Sequence, residues 1–412
     1  MKEFLLEANR CFLCKKPRCK ENCPISTPIP QIIELFKNNE VEKAGEILFN
    51  NNPMSIVCSI VCPHENQCLG NCIKGIKDTS VKFYEIENFI SKEYLKNIKL
   101  NSTKKNGDKI AVVGSGPAGI TLSIILAQKG YDVTLFEKNE KIGGVLRYGI
   151  PEFRLSRDIV DKFEEILKDL KIKIKTNTLV GPVITVDKLL ADGYKAIFIG
   201  TGVWNPKSLN IKGETLGHVH YAIDYLKSPE KYNLGKKVAV IGAGNVAMDA
   251  ARSAKHYGSS DVHIVYRRAE SDMPATQFEI KEAKEDGIIF DTFKAPLEIK
   301  DSGILTTKTK KIENEDGSVK IVTIENTEEL FQCDSIIIAV SQAPKSNIVD
   351  NTNGLEVCKS GLILTNEKCH TTREGIFACG DVVSGAKTVI EAVVNAKTAA
   401  NSIDEYCKSL KK

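Results

Sequence analysis

The chain has 412 residues, too many for one small core, so two to four domains are expected. Apolar residues make up 42% and charged residues 27%, with a formal net charge of +4 and no long Lys/Arg run, which argues against a nucleic-acid binder. Met1-Lys-Glu carries an acid early, and no stretch reaches about 18 apolar residues, so neither a secretory signal nor a membrane span is expected.

From about residue 1 to 100 the pattern is helical and punctuated by cysteine. Eight of the 13 cysteines lie in the first 72 residues. Cys11, Cys14, Cys19 and Cys23 form one run, which ends in Pro24. Cys58, Cys62, Cys68 and Cys72 form the second, with Pro63 after Cys62. Thiols concentrated in one part of a large chain favour metal in a reducing cytosol over disulfides. Their spacing, and Pro after cysteine, suit iron–sulfur clusters. Zinc is the other chemistry that C-x-x-C serves. Eight cysteines suffice for two four-thiol sites. The pattern after Pro28 and Pro30 reads as helix from Gln31 through Ala44-Gly-Glu-Ile-Leu-Phe, and a second helix is expected over about Lys82 to Leu95. Residues 101–108 are polar and read as a linker.

A strand beginning at Lys109 then opens Gly114-Ser-Gly116-Pro117-Ala118-Gly119, followed by an apolar helix and a strand from Asp132 to Glu137. The glycines suit a tight turn, close backbone approach to a pyrophosphate and close helix packing, and the helix N-terminus suits phosphate. Glu137 stands where a carboxylate accepts bonds from ribose hydroxyls and repels a 2′-phosphate, which fits FAD or NAD. Lys237 begins the same series with Gly242-Ala-Gly244-Asn245-Val246-Ala247, and its second strand ends in Arg267 and Arg268. Guanidinium groups there suit a 2′-phosphate, so NADPH is expected over NADH. Two sites of opposite charge imply FAD as bound cofactor and NADPH as hydride donor. Gly143-Gly144, Gly200-Thr201-Gly202 and Gly380-Asp381 are turns that could bring backbone near FAD. Cys333, Cys358, Cys369, Cys379 and Cys407 are scattered and read as small packed or surface residues.

Together these stretches, with Arg10-Cys11-Phe-Leu-Cys14, Tyr148-Gly-Ile-Pro151-Glu-Phe-Arg154, Val265-Tyr-Arg267-Arg268 and Lys387-Thr388-Val389, resemble the small subunits of NADPH-dependent glutamate synthase. They resemble equally the flavin and iron–sulfur part of dihydropyrimidine dehydrogenase. The resemblance implies an α/β fold: an N-terminal helical iron–sulfur domain followed by two interleaved Rossmann-like domains for FAD and NADPH. The expected bounds are 1–105 for the iron–sulfur domain, 106–226 and 344–412 for the FAD domain, and 227–343 for the NADPH domain. It implies two 4Fe–4S clusters, one on Cys11, Cys14, Cys19 and Cys72, the other on Cys23, Cys62, Cys68 and Glu87, with Cys58 left over. It also implies FAD contacts from Lys138, Arg147, Tyr148, Thr201, Gly202, Asp381, Lys387, Thr388 and Val389. The function it implies is NAD(P)H oxidation, with electrons passing through FAD and the clusters to a flavin-containing partner subunit in the cytoplasm. The alternatives are the NAD(P)H-oxidising subunit of dihydropyrimidine dehydrogenase and a stand-alone reductase of quinones or sulfur.

Overall fold

The structure, a computed structural model, describes residues 1–98, 100, 103–313 and 318–411. Residues 101 and 102 of the expected linker lie outside the described residues. The chain forms two units. One holds Met1–Arg147, Glu152–Val203 and Ala343–Lys412, the other Tyr148–Pro151 and Trp204–Gln342.

In the first unit, helices Lys2–Asn9, Ile29–Lys37, Val41–Asn51, Ser55–Val61 and Phe83–Asn97 precede the sheet. Apolar residues at helical spacing bury Ile32, Ile33, Phe36, Leu48, Ile86 and Ile90 in one cluster. The helical pattern expected to run on from Gln31 is broken after Lys37. Asn39 takes a left-handed backbone (φ 63) between two helices, a conformation Asn tolerates better than most residues.

A five-stranded sheet follows, in the order Ile376–Ala378, Tyr194–Ile199, Lys109–Val113, Asp132–Phe136, Lys173–Lys175. Every pairing is parallel. Its central strands read as apolar runs because helices cover both faces of such sheets. The helices Pro117–Gln128 and Val389–Ser409 pack on one another, and the latter also packs on Ser55–Val61. Lys397 on the long helix donates to Asn51 O (2.6 Å), which fixes the helical segment to the sheet segment.

The second unit repeats this plan: Val219–Tyr221, Ser335–Ile338, Lys237–Ile241, Asp261–Tyr266, Ile289–Thr292, again all parallel. Val219–Tyr221, which lies before the expected boundary at 227, pairs with Ser335–Ile338, and the main stretch of this unit runs from Trp204 to Gln342. It also carries an antiparallel sheet that the sequence did not disclose, built from Lys294–Lys300, Gly303–Glu313, Val319–Thr323 and Glu329–Gln332. In each parallel sheet the first strand of the repeat sits where the strand order reverses. Open α/β sheets bind ligands beyond the carboxyl ends of strands at that point.

Candidate nucleotide and cluster sites

Both glycine loops leave their sheets at these reversal points. Gly114 has φ 98, and a Cβ there would sit 2.5 Å from Gly200 O. Gly116 caps the helix Pro117–Gln128 with no side-chain bond, and the space where its Cβ would stand is open for 4 Å. Pro117 has no amide hydrogen, and Ala118 and Gly119 are buried behind it. Uncapped amides above open space make a cradle that fits a phosphate. Gly143 N–H donates to Ser115 O (3.1 Å), and Gly144 packs against Gly116.

Glu137 is 4% exposed. Its Oε2 accepts from Ser115 N (3.2 Å) and Oγ (2.5 Å), and its Oε1 accepts from Asn139 N and Nδ2 (both 2.8 Å). A carboxylate has about four acceptor positions, so a ribose hydroxyl would exchange with one of these partners. Ser115 and Asn139 were not expected from the sequence. The serine inside the glycine loop and an Asn two residues after the acid were the available signals. Lys138 is exposed. Arg147 is turned into the protein: its Nε donates to Ile142 O (2.8 Å) and its guanidinium pairs with Asp161. Tyr148 falls in the stretch that groups with the second unit.

Gly200 N–H donates to Val113 O (2.8 Å), and Thr201 and Gly202 continue that turn, half-buried. At the carboxyl end, Gly380 has φ 75 and leads into Asp381. The Asp381 carboxyl is pushed up to about 6, by burial first and by the Glu391 charge as well, against a hydrogen bond from Lys387 N–H. Thr388 caps the helix Val389–Ser409 reciprocally: Glu391 N–H donates to Thr388 Oγ1 (3.4 Å), and Glu391 Oε2 accepts from Thr388 N (3.0 Å) and Oγ1 (2.6 Å). The side chains of Thr388 and exposed Lys387 both engage Glu391, so backbone is what this turn offers a ligand.

In the second unit Gly242 has φ 129, and a Cβ there would run into Ala339 O. Gly244 caps Asn245–His256, again without a side-chain bond, and a Cβ on it would meet nothing nearer than Pro274 at 3.9 Å. Asn245 Oδ1 accepts from Thr276 N (3.0 Å), which ties the loop to the start of the helix Gln277–Glu285, while Val246 is half-buried. Arg267 and Arg268 are exposed just beyond the strand Asp261–Tyr266. Their carbonyls are held by Thr309 Oγ1 (2.8 Å) and Phe293 N (3.3 Å), so the turn is anchored while the guanidinium groups reach solvent.

The helical segment gathers the N-terminal cysteines into two groups. Cys11, Cys14, Cys19 and Cys72 line one cavity, with Phe12 and Lys74. Leu13 N–H points to Cys11 Sγ and Val81 N–H to Cys72 Sγ (both 3.5 Å), and such amides stabilise sulfur bearing negative charge. Burial pushes the Cys19 thiol up to about 11, with Cys11 and Cys72 adding to it.

The second group is buried deeper. A hydrogen bond with Cys58, then burial, raises the Cys62 thiol, and Glu87 and Cys68 act on it too. Burial raises Cys68, followed by Glu87 and Cys23. Glu87 is 7% exposed, and burial followed by the Cys58 thiol holds its carboxyl well above the usual range. Cys58, expected to be left over, therefore stands among Cys23, Cys62, Cys68 and Glu87. Acid and thiols buried together are costly unless a cation compensates them. This donor set fits a metal–sulfur cluster. Cys369 and Cys379, expected as small packed or surface residues, are both buried, and their thiols hydrogen-bond each other.

Known proteins resemble the chain over most of its length. The profile of the pyridine nucleotide-disulphide oxidoreductases matches residues 108–400, and that of dihydropyrimidine dehydrogenase domain II, 4Fe-4S cluster, matches residues 1–99. The chain is 33% identical to the beta subunit of an NADP(+)-dependent formate dehydrogenase of Moorella thermoacetica, over 95% of its own length but 60% of that protein's. It is 30% identical to the small chain of the NADPH glutamate synthase of Azospirillum brasilense, covering 98% of this chain and 89% of the relative. It is 31% identical to the homologue in Salmonella typhi of PreT, a subunit of NAD-dependent dihydropyrimidine dehydrogenase, covering 97% and 93%. NADPH-bound FprA of Mycobacterium tuberculosis shares the fold, with a TM-score of 0.62 at 18% identity over 74% of this chain and 85% of that one. The chain belongs to the pyridine nucleotide-disulphide oxidoreductase family, in the group that joins this fold to an N-terminal 4Fe–4S domain.

Proposed function

We propose that the chain oxidises NADPH, with NADH as a weaker donor, and passes the electrons through FAD and two 4Fe–4S clusters to a flavin-containing partner subunit, as a counterpart of the glutamate synthase small subunit. The observation that carries this reading is the order of sites within the first unit. The FAD-type glycine loop and the Gly380-Asp381 turn belong to a sheet whose last helix, Val389–Ser409, packs on Ser55–Val61. That second helix carries Cys58 and leads into Cys62, so the Glu87 group adjoins the sheet segment. Cys68 of that group feels Cys19 of the other, and the cavity of Cys11, Cys14, Cys19 and Cys72 comes next. A two-electron carrier and one-electron centres arranged in series form a relay.

When bound, FAD supplies the exchange between hydride and single electrons. The chain's own residues hold and orient. The uncapped amides after Gly116 and Gly244 would take the two pyrophosphates, Glu137 the adenosine ribose, and Arg267 with Arg268 the 2′-phosphate that distinguishes NADPH. Asp381 and the turn before Val389 would face the flavin, the helix N-terminus favouring negative charge there. Cys11, Cys14, Cys19 and Cys72 would hold one cluster, and Cys23, Cys62, Cys68 and Glu87 the other. Free thiols and clusters of this kind require a reducing compartment, so we place the protein in the cytoplasm. That two relatives are named as chains or subunits of larger enzymes supports a partner. The test is iron, sulfide and flavin content after anaerobic purification, with EPR of dithionite-reduced wild type and Glu87→Ala. Two cluster signals with one altered in the variant support the reading. Stoichiometric zinc without iron overturns it.

A further inference from the structure

The outer cysteine cavity is walled by Pro30 and by two stretches of chain, Cys11–Cys19 and Cys72–Val81. Each stretch also presents a bare apolar side chain, Phe12 at 63% exposure and Ile76 at 66%. Lys74 Nζ lies 5.3 Å from the centre of the Phe12 ring. Around these, Lys15, Lys16, Arg18 and Lys20 are exposed on the first stretch against Glu21, and Lys77 on the second. Asp78, the acid of the second stretch, is engaged by Lys74 (2.8 Å) and Arg10 (3.7 Å). Apolar groups inside a charged rim have the composition of a protein interface. A rim of one sign steers and selects a partner of the opposite sign.

We propose that this face docks an electron-accepting protein through an acidic surface with an apolar centre. The proposal rests on the electron direction given above and names the chemistry of the acceptor's surface. Phe12, Arg18 and Lys74 belong both to the face and to the cavity wall, so a protein seated there stands directly over the outer cysteine group. Cys11, Cys14, Cys19 and Cys72 would hold the one-electron donor there, and each event would pass a single electron to the acceptor's own centre, with no bond formed and no proton moved.

The test measures binding of the anaerobically purified full chain to a small acidic [2Fe–2S] ferredoxin as probe, over a range of salt. The wild type should bind more weakly as salt rises. Lys16→Glu with Lys77→Glu should weaken binding about tenfold or more, and Ile76→Ser several-fold, while a basic cytochrome c of similar size does not bind. Affinity that ignores salt, or that both variants leave unchanged, overturns the proposal. So does binding to phosphatidylserine vesicles in place of ferredoxin when the same variants abolish it. NADPH-driven reduction of menadione, a small uncharged acceptor, is run in parallel. Its absence in the wild type defeats the parent reading, whereas the docking surface is decided by the binding series alone.

Discussion

The two glycine loops share a scaffold and differ in what surrounds it. Lys109 pairs with Asp132 in one sheet and Lys237 with Asp261 in the other. Each first glycine takes a positive φ against a neighbouring carbonyl, and each second glycine caps a helix with no side chain in the way. A Cβ on Gly119 would run into Gly114 O, whereas Ala247 at the matching place is fully buried without conflict. The end of the second strand differs more. Glu137 is enclosed and fully hydrogen-bonded, and Arg267 and Arg268 are exposed. Backbone makes an open cradle at a helix start in both, and the residues that end the second strand give the two loops opposite charge.

The widest break in this comparison comes from the first glycines. Gly114→Val should give protein without bound flavin. Gly242→Val should keep the flavin and lose reduction by NADPH, as flavin absorbance before and after NADPH will show. Next, Glu137→Ala leaves Ser115 and Asn139 amides unpaired in a buried site, which should cost about 2–4 kcal/mol in denaturant unfolding, with Glu137→Gln milder. On the other loop, Arg267→Ala and Arg268→Ala together should raise KM for NADPH about tenfold, the scale of one charge-assisted pair. They should leave KM for NADH unchanged, and equal losses for both donors would remove the phosphate role.

The smallest effect concerns Asp381. Its carboxyl titrates near 3.8 when unfolded and near 6 when folded. Between those values the folded state keeps a proton that the unfolded state has released, so this group's contribution is largest below pH 4. It falls as pH rises to about 6 and is constant above. The stability difference between wild type and Asp381→Asn should therefore decline by about 1–2 kcal/mol across that window, a range reduced because the side chain is partly exposed. A flat difference would mean that burial does not hold the proton.

The sequence was legible where a local rule is strict. Glycine turns followed by helices, strands of apolar run, and clustered cysteines each follow from short-range chemistry. Less was legible where partners are distant or patterns are mixed. Val219–Tyr221 is three residues long and gains its identity only by pairing with Ser335–Ile338. The antiparallel strands from Lys294 to Gln332 carry many charged residues and little clean alternation, since much of their surface is exposed. Arg147 was expected as an FAD contact through the family resemblance, and the sequence did not disclose that Asp161 and the Ile142 carbonyl engage two of its donors. Cys58 and Glu87 are 29 residues apart and meet only because Ser55–Val61 packs on Phe83–Asn97.

The proposed relay runs from a pyridine nucleotide to the N-terminal cysteine groups. The most direct measurement is EPR of the anaerobic protein after an excess of NADPH over flavin, with flavin absorbance followed in the same sample. The account predicts bleaching of the flavin together with the appearance of reduced-cluster signals. A flavin that bleaches while the cluster signals stay silent in wild type, or a protein that holds no cluster at all, would contradict it.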